Sequence, residues 1–220
     1  SCFLRDSWQN SWRGILLSGT PIAWTSASAS ESIKMNWRKI SWRLFLALLA
    51  LFLCLHAYLA RYAHPMADDL KYAQKDISTG LLNASIWEYL NWNGRFASNV
   101  LVLLNPIRWG FDALDFYRVV PCVLIALTLA SCFLFLCTMP RPKPLHGWAL
   151  AGALVWTAQY THGMPDIGEG FYWYTGSVTY QFASVLVLIG AATVVTAVRG
   201  QRWWLIYAAI PILVFAQGCN

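Results

Sequence analysis

The chain has 220 residues, 58% of them hydrophobic and 12% charged, with a net charge of +6 and a mean hydropathy of +0.46. A soluble domain carries about 25% charged residues, so the shortfall excludes an ordinary soluble fold and points to a membrane protein. The basic residues fall in short segments between apolar runs rather than in a stripe among exposed aromatics, which argues against a nucleic-acid partner. Six cysteines without a CxxC or Cys/His cluster argue against a zinc site.

In chain order, residues 1–34 are Ser- and Trp-rich, lack periodicity and read as an unstructured or non-native leader ahead of Met35. Residues 35–220 read as a transmembrane domain. A membrane helix needs about 20 mostly apolar residues, and five spans are expected, at 44–60, 119–139, 146–160, 180–198 and 203–217, the third of them marginal in length. Arg38, Lys39 and Arg43 precede the first span, Arg141 and Lys143 separate the second from the third, and Arg199 and Arg202 separate the fourth from the fifth. The positive-inside rule makes all three segments cytoplasmic, so the N-terminus is cytoplasmic and loops 61–118 and 161–179 are outer. Most of the acids, including Asp68, Asp69, Asp76, Glu88 and Glu169, then lie outside.

The fold class expected is therefore all-α, a polytopic transmembrane helical bundle with a long first outer loop. Pro65 ends the first span. Asp68–Ser78 reads as a short helix broken by Gly80. Ile86–Trp92 and Phe96–Leu104 read as further short helices around the turn Asn93-Gly94. The run VLVLL at 100–104 is too short to cross and is expected along the interface with its apolar side in lipid.

Three outer features carry candidate chemistry. Asp68 and Asp69 follow the proline. One of them serves as a helix cap, and the other is left for a general base or a metal ligand, because adjacent like charges need an offsetting partner. Which is which stays open. In WNGRF, residues 92–96, Arg95 reads either as a snorkelling interfacial arginine or as a phosphate fork, with Gly94 permitting close backbone approach. In GEGFYWYTGSVTY, residues 168–180, Phe171 to Tyr174 read either as an aromatic belt or as a platform for sugar rings. Glu169 sits between two glycines at the membrane boundary.

ADDLKYA after the first span, WNGRF, and FYWYTGSVTYQ before a later span resemble a group of bacterial multi-span membrane proteins similar to O-antigen glucosyltransferases and, more broadly, to the GT-C glycosyltransferases. The resemblance covers roughly residues 35–220, and GFYWYTGSVTY is its most specific part. Family members carry more spans than five, so the resemblance implies a chain truncated at its C-terminus, the N-terminal part of a GT-C-like enzyme of the bacterial cytoplasmic membrane. It also implies a polyprenyl-phosphate sugar donor, a glycan or lipid acceptor on the outer side, and catalysis by the acidic motif, here Asp68 and Asp69. Arg95 becomes the phosphate partner, and Asn93, Glu169, Trp173, Tyr174 and Tyr180 become donor or acceptor contacts. Metal dependence stays open: paired carboxylates suit Mg²⁺ or Mn²⁺, while many GT-C enzymes need no cation. The competing expectations are a transport or flippase component, which would place polar groups near the membrane midplane, and a non-catalytic membrane protein.

Overall fold

The computed structural model describes residues 24–140 and 145–219, and all regular structure among them is helical. The long helices are α1 (Trp24–Leu59), α5 (Leu114–Cys137), α6 (Leu145–Gly163), α7 (Phe182–Arg199) and α8 (Trp204–Cys219). Between α1 and α5 lie three short helices, α2 (Asp68–Thr79), α3 (Leu81–Glu88) and α4 (Phe96–Leu103). Three stretches are long and apolar enough to cross a membrane: Lys39–Tyr62, Phe111–Cys137 and Tyr174–Arg199. The protein is thus an all-helical membrane protein. The segments expected as third and fifth spans are α6, of 19 residues, and α8, whose described part is an apolar helix of 16 residues. Arg141 and Lys143 lie outside the described residues.

The contacts divide the chain into residues 1–45 and 46–220. In the first unit the helix begins at Trp24, inside the stretch read as an unstructured or non-native leader, while residues 1–23 lie outside the described part. The physical reason is that TSASASESIKM contains neither Pro nor Gly, so a helix nucleated in the apolar run propagates backwards at little cost. Ser41 Oγ donates to the Trp37 carbonyl at 2.6 Å, and the Trp42 and Phe45 rings lie 5.6 Å apart.

In the second unit α7 packs along α8 and α5, and α5 packs on α6. Small residues sit where these helices approach closely, including Ala149 and Ala153 against Cys132 and Leu136. α1 gives way to a short 3-10 turn at Ala60–Tyr62, before Pro65. α2 then starts at Asp68 and ends at Gly80, whose φ of +79° stops it. Its charges are compensated internally. Asp76 pairs with Arg108 at 2.7 Å, and Lys75 pairs with the buried Glu88 at 2.5 Å while lying 3.4 Å from the centre of the Trp87 ring.

The apolar run on α4 turns its centre into the protein rather than outward. Val102 and Leu103 are buried, Leu103 at 0% exposure, in a cluster with Tyr72, Ile107, Tyr117, Tyr174 and Val178. The correction has a simple cause: α2, α3 and α8 pack around α4, so its apolar residues meet protein. The outward apolar face belongs to α3 and the π turn after it. Leu82, Ile86 and Leu90, spaced by four residues, are 72%, 48% and 71% exposed, while Ala84, Ser85 and Glu88 face inward. A helix with its apolar stripe outside and its charge inside is arranged for lipid rather than for water.

Candidate functional site

The site is built on the start of α2. Asp69 is 0% exposed, and both of its oxygens are occupied. Oδ1 accepts from the Thr175 amide at 3.0 Å and the Thr175 hydroxyl at 2.6 Å. Oδ2 accepts from the Tyr117 hydroxyl at 2.7 Å and the Met66 amide at 3.3 Å. The Asp69 amide returns a bond to the Met66 carbonyl at 2.8 Å. A buried carboxylate with four donors is a structural tie, since each donor offsets part of the desolvation cost. It joins α2, α5 and the 173–176 segment. Tyr117 continues the network by accepting from the Tyr174 amide at 3.1 Å.

Asp68, one residue earlier, is half-buried and borders a separate cavity of about 380 Å³. That volume suits a small polar ligand. Asn93, Arg95, Trp173 and Tyr180 border the same cavity, so the structure brings together residues from all three stretches singled out in the sequence. Asp68 is aimed by an unusual backbone. Ala67 has φ +36° and ψ −99°, and a non-glycine residue held in such a region stores strain that local contacts must overdetermine. Those contacts are the reciprocal Met66–Asp69 bonds on either side of it.

Arg95 has no carboxylate partner among the described residues and lies 5.5 Å from the centre of the Tyr180 ring. Its amide is fixed by the Asn93 side chain at 3.0 Å, and Gly94 adopts φ +65° between them. A Cβ on Gly94 would meet nothing, so this glycine serves the left-handed turn rather than a close approach. Gly176 is the converse. A Cβ there would come within 2.3 Å of the Glu169 carbonyl, so only glycine lets the two turns of the second loop pack together. Tyr72 also borders the cavity. Burial, followed by the nearby charges of Glu88 and Asp68, pushes its hydroxyl up to about 12, with Arg95 acting in the opposite sense. It is therefore a neutral donor at any physiological pH.

Two candidates lie elsewhere. Tyr174 is buried and donates to the Leu101 carbonyl at 3.0 Å, and Glu169 is exposed away from the cavity lining. Sequence reasoning missed Tyr72, Asn99, Tyr117 and Thr175. Tyr117 precedes the expected second span but falls inside α5, and Asn99 was masked by the apolar residues around it. One structural signal would have pointed to the cavity. Two of the three π turns among the described residues, Tyr89–Asn93 and Ser177–Gln181, contribute lining residues, and such widened turns recur at functional sites.

The metal expectation does not fit. The lone pairs of Asp69 are taken by hydrogen-bond donors, so the adjacent carboxylates do not face one point. Among the described residues no three His, Cys, Asp or Glu side chains are grouped to hold an ion.

A second, largely apolar cleft of about 650 Å³ lies between α5, α6, α7 and α8. Its lining includes Trp156, Val187, Leu188 and Leu213, and it shares Tyr180 with the polar cavity. Its polar lining includes Ser184, Gln217 and a hydrogen-bonded chain in which Tyr160 donates to Gln181 at 2.8 Å and Gln181 donates to Thr128 at 2.7 Å. Comparison with protein-family models, with curated proteins and with solved structures finds no match.

Proposed function

We propose that the protein is a membrane glycosyltransferase that moves a sugar from a polyprenyl-phosphate donor to a hydroxyl of a cell-envelope glycan or lipid. It would act at the outer face of the bacterial cytoplasmic membrane, with its N-terminus cytoplasmic and five spans. One observation carries this reading: a polar cavity holding a carboxylate, an unpaired guanidinium and an indole meets an apolar cleft at Tyr180. That combination suits an amphiphile with an anionic, hydroxylated head and an apolar tail.

In this reading the acceptor hydroxyl attacks the anomeric carbon as its bond to the phosphate oxygen breaks. The lipid phosphate leaves with the bonding electrons, and the configuration inverts. Asp68 takes the hydroxyl proton as general base, because Asp69 is committed to its four donors. Arg95 offsets charge growing on the departing phosphate. Trp173 and Tyr180 flank the sugar, and Asn93 fixes the turn that presents Arg95. Glu169 would act only from the cavity's surroundings, on the acceptor side.

A transport or flippase role draws on one different observation, the Tyr160–Gln181–Thr128 chain inside the bundle. The deciding experiment reconstitutes the protein in liposomes with a radiolabelled polyprenyl-phosphate hexose and membrane acceptors. Transfer should occur and should fall by about 10²–10⁴-fold in Asp68→Asn at unchanged protein level, the usual worth of a positioned base. Donor movement between leaflets without transfer would favour the transport role.

A further inference from the structure

Asn99 is the most conspicuous polar side chain that the proposed chemistry leaves without a task. It is 1% exposed, it borders the polar cavity from α4, and its amide nitrogen has no hydrogen-bond partner. A buried donor without a partner costs about 1–3 kcal/mol, and α4 offers no local reason to keep one. The residues around it on this helix are alanine, serine, valine and leucine. Trp173, across the same cavity, shows the same defect, its indole nitrogen being buried and unpartnered.

Two orphan donors on one cavity are satisfied together by a ligand that brings acceptor oxygens. The terminal torsion of an asparagine is soft, so a small rotation turns its amide towards an arriving oxygen. The cavity already has a separate group for an anion, Arg95, so the orphan pair is free to read uncharged oxygens. Resting on the proposed glycosyl-transfer reading, we infer that Asn99 and Trp173 are specificity-determining residues that hydrogen-bond the hydroxyl oxygens of the donor's hexosyl ring, while Arg95 takes its phosphate.

The test measures equilibrium binding of two short-chain probes, a prenyl phosphate and the corresponding prenyl-phosphate hexose, to the protein in lipid nanodiscs. Wild type should prefer the hexosyl probe. Asn99→Leu, close in volume but without the amide, should bind it about tenfold more weakly, the equivalent of ~1.4 kcal/mol, while binding prenyl phosphate as before. Trp173→Phe should show the same selective loss. The melting temperature of Asn99→Leu should equal or exceed that of wild type, because the variant removes an unsatisfied donor. Unchanged preference for the hexosyl probe in both variants overturns the assignment, as does a marked drop in melting temperature for Asn99→Leu, which would make the amide a structural group. Failure of wild type to bind either probe would instead bring down the glycosyl-transfer reading beneath it.

Discussion

Asp68 and Asp69 are neighbours in sequence and opposites in environment. Asp69 lies in a filled knot with Tyr117, Thr175 and Met66, where every lone pair is used. Asp68 lies on a cavity with Arg95, Tyr72 and two unpartnered donors. The contrast separates two settings of a carboxylate: one holds three segments together, and the other is left facing an open cavity by that rigidity. A preorganised site needs such support, because small misplacements of a reacting group are costly.

The contrast can be attacked from the knot first. Asp69→Leu leaves both Thr175 donors and the Met66 amide without their acceptor and reduces the Tyr117 hydroxyl to its long bond to the Tyr172 carbonyl, and should destabilise the detergent-solubilised protein by about 3 kcal/mol or more, read as a large fall in melting temperature. A stable Asp69→Leu protein would show that the knot does not hold the three segments together. Tyr117→Phe takes away one donor to a buried charge and should cost about 1.5–3 kcal/mol, with Asp68-dependent transfer reduced only as far as the knot loosens. Ala67→Gly relieves strain of about 1–3 kcal/mol but adds backbone freedom in the unfolded chain, so the net gain in stability should be about 1 kcal/mol. Transfer should fall in the same variant, as Asp68 loses its fixed direction.

The smallest effect concerns pH. Tyr72 has its hydroxyl raised from 10.0 to about 12 in the folded protein. Above the unfolded value the unfolded chain releases its proton before the native one does, so stability is full below pH 10 and is lost as pH rises from 10 towards 12. Replacement by Phe should flatten that part of a melting-temperature profile, and an unchanged slope would place Tyr72 outside the buried cavity wall.

Much of this arrangement was readable where local chemistry decides it. Pro65 and Gly80 bracket α2, and its observed limits of 68 and 79 follow from them. WNGRF and FYWYTGS were singled out by their turn and aromatic residues, and both reach the cavity. What could not be read depends on distant partners. Successive residues on a helix point about 100° apart, so Asp68 and Asp69 differ in facing, but which faces the protein is set by Thr175. The VLVLL run is equally apolar against lipid or protein, and its neighbours α2, α3 and α8 decide between them. Conversely, α3 hides its charge by pairing Glu88 with Lys75, a choice invisible in LLNASIWE.

The Asp69–Thr175 bond joins residues 106 positions apart. A closure of that length must await the later part of the chain, and contacts of such separation form slowly. During synthesis the first loop therefore emerges without its anchor, and Asp68 acquires its direction only once residues 174–199 are in place. In the proposed glycosyl-transfer reading, the site is complete only once both ends of this bond have been made.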